Sequence, residues 1–132
     1  MNKQEKIKSV ITKLVEQGNL DVIDEVFSTS YVAHFGDKDY KGREFIKKYL
    51  EELKTALPDV KVVKVDFLVE ADDAVAWQRT FRGTHKAAMR GIPASDKKIE
   101  WTEIVVSRFE SEKINEEWVV SELAGKLFSK QS

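Results

Sequence analysis

Apolar residues in the first third of the chain recur with the period of a helix. Ile7, Val10, Ile11, Leu14 and Val15 fall at i, i+3, i+4, i+7 and i+8, the stripe of an amphipathic helix. Gly18 stands where a C-terminal glycine cap belongs, and Asn19 is placed to cap a short second helix carrying Val22, Ile23, Val26 and Phe27. Ser28-Thr29-Ser30 ends that helix, and Tyr31 to Phe35 reads as a short extended piece closed by Gly36-Asp37. A third helix begins near Gly42-Arg43-Glu44. Its apolar face is Phe45, Ile46, Tyr49, Leu50, Leu53, Ala56 and Leu57, and Pro58 stops it.

Beyond Pro58 the period drops to two. Val63, Val65, Phe67 and Val69 alternate with Lys64, Asp66 and Leu68, which predicts a strand with one wet face. Ala71-Asp72-Asp73 is a turn, and Ala74 to Phe81 a second strand with apolar or aromatic residues on both faces. Residues 85–97 hold Gly91, Pro93, Ser95 and Asp96 and read as a loop. Ile99–Phe109 and Ile114–Glu122 are a third and a fourth strand, joined through Glu110-Ser111-Glu112-Lys113 as an antiparallel hairpin. Helices followed by strands imply an α+β domain in which helices cover one face of a curved antiparallel sheet.

Composition narrows the function. With 132 residues the chain is expected to be one domain, 1–132, burying roughly two-thirds of its unfolded surface without a covalent staple. It has no cysteine, which removes disulfides, thiolate nucleophiles and Cys-based zinc sites. Lys plus Arg is 22 against 23 Asp plus Glu, interspersed, so no nucleic-acid footprint is expected. No uncharged run approaches the roughly 20 apolar residues of a membrane span. The opening Met1-Asn2-Lys3-Gln4-Glu5-Lys6 lacks the apolar core of a signal peptide, so the expected address is the cytoplasm. Motifs for phosphate, dinucleotide, zinc or a serine nucleophile are absent, and two histidines 51 positions apart argue against a metal site. Any reaction is therefore expected to run by acid–base or electrostatic means, without cofactor.

The informative positions are charges inside apolar strand faces. Arg79 lies between Trp77 and Phe81; Glu103 shares a face with Ile99, Trp101 and Val105; Glu122 shares one with Trp118 and Val120. A buried charge is costly unless paired or neutralised. Strands curled around a hollow would explain them, lining it with aromatics and a few convergent polar groups. Equally, Arg79 and Glu103 are suited to a cross-strand pair on a solvated or dimer-facing surface. Glu122 reads also as a surface carboxylate near the chain end, and Trp77, Trp101 and Trp118 as plain core. His34 and His85 sit at element ends, where either could titrate near neutral pH or simply hold a hydrogen bond.

An ordered set of short pieces resembles a known family. Gly18-Asn19-Leu20-Asp21, Val26-Phe27, Tyr31-Val32-Ala33-His34, Gly42-Arg43-Glu44 and Pro58-Asp59 are followed by Gly83-Thr84-His85, Gly91-Ile92-Pro93-Ala94 and Lys113-Ile114-Asn115-Glu116-Glu117-Trp118. From about residue 14 to residue 127 this is similar to the SnoaL-like polyketide (ester) cyclases of the nuclear transport factor 2-like superfamily. The resemblance implies a cone-shaped α+β barrel, three helices on a strongly bent sheet enclosing an apolar pocket, and a homodimer. It implies intramolecular aldol closure of a polyketide ring, with no metal or cofactor and an aspartate as acid/base. The matching position is Glu122, four after Trp118, and His34 and His85 match positions near the pocket. The family's Gly-Leu-Leu tail is Gly125-Lys126-Leu127 here, its Thr-Gly turn is Ser95-Asp96, and its Asp-Gly hairpin is Ser111-Glu112, for which a different turn is expected.

The leading expectation is a small acid–base cyclase or isomerase acting on an apolar carbonyl compound. Glu122 would be desolvated beside Trp118, with His34 or His85 assisting and Trp77, Trp101, Trp118, Arg79 and Glu103 contacting ligand. The alternatives are a non-catalytic binder of an apolar small molecule and a dimerisation module whose hollow is filled by its own side chains. Ile104 and Val106 on the other sheet face would leave an apolar patch that a homodimer covers.

Overall fold

A computed structural model describes residues 1–128. Helix α1 (Lys3–Val15) buries the five predicted residues Ile7, Val10, Ile11, Leu14 and Val15. A capping box starts it: the Asn2 side chain accepts the Glu5 N–H at 2.8 Å, and Glu5 accepts the Asn2 N–H at 3.2 Å. Gly18 follows with φ +62°, which lets the Asn19 N–H turn back onto the Lys13 carbonyl at 2.9 Å. Asn19 itself accepts from the Asp21 N–H one turn ahead of α2 (Val22–Val26), and so does not cap that helix. Phe27 leaves α2 and opens a longer strand, β1 (Phe27–Phe35), which hairpins into β2 (Lys38–Lys41), a strand the sequence did not signal. α3 (Glu44–Ala56) buries Ile46, Leu50, Leu53 and Ala56 and stops before Pro58.

The remaining strands are β3 (Lys61–Glu70), β4 (Ala74–Thr84), β5 (Lys98–Glu110) and β6 (Lys113–Ser121), and a short α4 (Leu123–Phe128) closes the described chain. They form one six-stranded sheet in the order β2-β1-β6-β5-β4-β3. Neighbours are antiparallel except β1 and β6, which run parallel. As expected, the helices pack on a curved sheet; it is not closed, and β2 and β3 are its edges. α1 and α3 cover its concave face. No helix among the described residues is long and apolar enough to cross a membrane.

Bulges decide which side chains reach that face. In β3 the register slips at Val63 and again at Leu68, so Val62, Val65 and Phe67 oppose Phe81, Arg79 and Trp77. Val63 and Val69, predicted to be buried, are turned outward at 41% and 67% exposure. In β6 the register slips at Asn115, so Ile114 opposes Phe109 while Glu116 opposes Arg108. Ser28 and Ser30 hydroxyls hold the Asn115 side chain at 2.9 and 2.8 Å. Past the bulge Glu117, Val119 and Ser121 point to the concave side, and Trp118 and Val120 point away. The β5–β6 turn has φ 50° at Ser111 and 68° at Glu112, the left-handed pair of a type I′ hairpin, so the loss of the Asp-Gly sequence has not changed its form.

Gly83 lies tight against the connection between α3 and β3. A methyl group there would lie 2.9 Å from Leu57 Cδ2 and 3.3 Å from the Val60 Cα, and backbone cannot step aside. Next to it Asp59 accepts both the backbone N–H and the hydroxyl of Thr84 at 2.7 Å, which lowers its pKa and ties the α3–β3 connection to the end of β4. Gly83→Ala is expected to cost about 1–3 kcal/mol in urea unfolding through overpacking. An unchanged midpoint would mean that the contact is slack.

Candidate active site

Two carboxyls and one guanidinium share the concave wall. Arg79 on β4 and Glu103 on β5 are direct cross-strand partners: Arg79 Nε donates to Glu103 Oε1 at 2.7 Å, and Nη2 makes an ion-pair contact with the same oxygen at 2.6 Å. Glu103 is wholly buried. Its Oε2 also accepts from Ser121 Oγ at 2.6 Å and Trp101 Nε1 at 3.2 Å, with the Tyr49 hydroxyl at 3.5 Å. Every lone-pair direction of that carboxylate is thus met, the condition a buried charge requires. The guanidinium lies over Trp77 and Phe81, with ring centroids 5.2 and 5.4 Å away. Among the described residues Arg79 Nη1 has no hydrogen-bond partner.

Glu117 is the second carboxyl, 7% exposed on β6. It accepts from the Tyr31 hydroxyl at 2.8 Å and from Ser107 Oγ, and Trp77 Nε1 in turn donates to that serine at 2.9 Å. Among the described residues no cation is in an ion pair with it, and Arg79 is paired with Glu103. Burial therefore raises the Glu117 pKa above the ordinary carboxylate range, despite the lowering by Ser107, Arg79 and Tyr31. Burial first, then the adjacent Glu117 charge, raises Tyr31 well above its usual value, and burial does the same to Tyr49.

An internal cavity of about 60 Å³ lies between this wall and the two long helices. Arg79, Glu117, Tyr31 and Tyr49 supply its polar wall; Ile7, Ile11, Leu14, Ile46, Leu50, Trp77 and Phe81 are among its apolar lining. An open cleft of about 720 Å³ lies outside it, and Phe35, Phe45, Tyr49 and Val119 line both volumes. The rings of Phe35, Phe45 and Tyr49 stand 5.6–6.1 Å apart and divide the two.

The structure disperses the residues singled out from sequence. Trp77, Arg79 and, behind them, Glu103 and Trp101 belong to the concave wall. Glu122 does not: it is exposed, and its Oε1 accepts the Thr102 backbone N–H at 2.9 Å, prolonging the β5–β6 ladder. The expectation of a desolvated acid at that position is corrected, because the Asn115 bulge reverses the parity on which it rested. Trp118 and His34 lie on the outer sheet face, stacked with centroids 5.1 Å apart, away from the cavity. His34 bridges Asp39 and Glu116 at 2.6 Å from each ring nitrogen, and those hydrogen bonds raise its pKa. Glu116 also takes Arg108, whose guanidinium covers Trp118 at 4.9 Å. His85 is fully buried and lines neither volume. Its Nδ1 is 3.3 Å from Ser95 Oγ, and its Nε2 has no partner among the described residues. Glu117, Tyr31 and Ser107 escaped sequence reading, since a glutamate beside Glu116 in a charged stretch carries no period-two signal. Among the described residues no group of three or more His, Asp or Glu side chains could hold a metal ion.

The sequence profile of the SnoaL-like polyketide cyclases matches residues 5–127. The chain belongs to that family. No curated protein matches it. Similar solved structures include IdmH of Streptomyces antibioticus, a proposed polyketide cyclase, at 23% identity and TM-score 0.79 over 96% of each chain. TsrD of Streptomyces laurentii is similar at 18% identity and TM-score 0.81, over 97% of this chain and 98% of that one. A SnoaL-like polyketide cyclase of Agrobacterium tumefaciens has 18% identity and TM-score 0.75, over 92% and 91%. At these identities the likeness establishes the nuclear transport factor 2-like fold for this family member.

The buried carboxyl makes a pH signature. Folded Glu117 holds its proton above the pH at which the unfolded side chain, with an ordinary pKa of 4.5, releases it. The native state then binds more protons through that window, so stability falls as pH rises from 4.5 through the native pKa. Glu117→Gln removes the ionisation, and its unfolding free energy relative to the parent is expected to improve steadily over that range. A pH-independent difference would show that Glu117 is not desolvated.

Proposed function

We propose that this SnoaL-like protein catalyses proton transfer on an apolar carbonyl compound, closing or isomerising a ring with Glu117 as acid/base. The observation that carries the reading is the charge count of the concave wall, one guanidinium for two buried carboxyls. It leaves Glu117 as the group whose proton is mobile. The Glu117 carboxylate takes a proton from the carbon alpha to a carbonyl, and the electron pair passes to the carbonyl oxygen as an enolate. That carbon attacks a second carbonyl of the same molecule, and Glu117 returns its proton to the new alkoxide. Protons and electrons balance within substrate and side chain. Arg79 Nη1, unpaired at the cavity, donates to the developing oxyanion, and Tyr31 fixes the carboxyl it is bonded to. Substrate would reach the cavity from the open cleft past Phe35, Phe45 and Tyr49, which line both volumes.

The test is α-proton exchange of 2-tetralone in D2O, followed by NMR. Glu117→Gln is expected to lower the catalysed rate by about 10²–10⁴-fold, while Glu122→Gln stays near the parent rate. Full exchange by Glu117→Gln would refute the assignment. Binding of the ketone without exchange by the parent protein would favour the second reading, a non-catalytic carrier. The observation supporting that reading is that protein groups already satisfy both Glu103 and Glu117.

We also propose a homodimer formed through the outer sheet face. Val120 and Ile104 are cross-strand neighbours there at 72% and 46% exposure, beside Val106. Sedimentation is expected to give twice the chain mass at micromolar concentration, and Val120→Lys to shift it towards the single chain. A monomeric parent protein would exclude this interface.

A further inference from the structure

The open cleft outside the cavity is asymmetric in charge. Lys38, Lys48 and Arg90 line it against a single carboxylate, Glu52. Among the described residues none of the three cations is in an ion pair, in a chain whose charges are otherwise nearly balanced. Between them lies an aromatic floor. Tyr40 stacks on Phe45 at 4.3 Å and 12°, and Phe45 on Tyr49 at 6.1 Å and 21°.

Arg90 is held there against its backbone preference. It has φ +53° and Gly91 has φ +77°, in a tight turn closed by reciprocal Met89–Ile92 hydrogen bonds of 3.0 and 2.9 Å. Asparagine or glycine takes such a first turn position more easily than arginine. The conformation sets the guanidinium 6.0 Å from the centroid of the Tyr49 ring, the residue that lines both cleft and cavity. Strain of this kind at a cleft is where function is to be looked for.

We propose that the cleft is an oxyanion-binding vestibule, and that the substrate is a flat apolar carbonyl compound carrying a carboxylate or phosphate. Its ring system would lie on Tyr40, Phe45 and Tyr49, with the anionic group among Lys38, Lys48 and Arg90 and the carbonyl end directed at the inner cavity. The proposal rests on the acid/base reading for what happens beyond the rings, but not for anion binding itself.

The test is an amide NMR titration of the full chain with 2-naphthoate, 2-naphthyl phosphate and the neutral, near-isosteric 2-naphthamide. At low salt the better oxyanion is expected to bind about tenfold more tightly than the amide, with the preference shrinking at high salt. Whichever oxyanion binds better identifies the group. The combined Lys38→Gln, Lys48→Gln, Arg90→Gln protein is expected to bind all three compounds alike. Arg90→Asn is expected to keep or raise the melting temperature while losing about two- to threefold of the preference, which separates ligand contact from a structural role. Equal binding of anions and amide, a preference that survives the triple change, or no binding of any compound would overturn the proposal. Glu117→Gln keeps the anion preference if the vestibule is right. A protein that shows the preference and still exchanges α-protons as Glu117→Gln overturns the acid/base reading alone.

Discussion

Arg79 and Glu103 set the electrostatics of the whole concave face. Each sits where strand alternation calls for an apolar residue, and each would be prohibitively costly alone. Removing one partner of such a buried pair typically costs about 3–5 kcal/mol. The two are register partners on adjacent strands, so forming the β4–β5 ladder and neutralising the charge are one event. Among the described residues the pair engages the only guanidinium that lines the inner cavity, and the side-chain donors to Glu117 are the hydroxyls of Tyr31 and Ser107. Burial therefore raises the Glu117 pKa, and Ser107, Arg79 and Tyr31 offset that only in part.

Site geometry depends equally on irregularity in the strands. A two-residue period assigns faces only while the ladder is unbroken, and one extra residue exchanges them. The Asn115 bulge turns Glu117 inward and sends Trp118 to the outer face, where it meets His34 and Arg108. The two β3 bulges likewise expose Val63 and Val69. The concave wall and the outer Asp39–His34–Glu116 bridge are thus products of the same displacement.

Much of the fold was legible because it repeats. The stripe on α1, the face of α3 ending at Pro58, and the long β5–β6 hairpin each rest on several residues agreeing with one period. Phe27 and β2 were less legible. Phe27 continues a helical spacing but its backbone turns extended, and a four-residue edge strand has too few positions to show alternation. At the site, Arg79 and Glu103 stood out because charge amid aromatics breaks a pattern. Glu117 did not, because Glu116-Glu117 already breaks it. Glu122 drew attention through its spacing from Trp118; that spacing is intact, but the bulge upstream at Asn115 places Trp118 on the outer face.

By itself the sequence determined the order and kind of the main elements, the α+β class, membership in the family, and the presence of charges that the sheet must reconcile. The elements, the class and the charges follow from local periodicity and composition, and the membership from the ordered pieces that the family's sequence profile matches over residues 5–127. Tertiary structure alone decided which carboxyl is buried, which histidine is turned outward, and that Lys38, Lys48 and Arg90 meet at one cleft. These depend on bulges, on register between strands far apart in sequence, and on how three separate segments close around one rim. No local pattern encodes any of them.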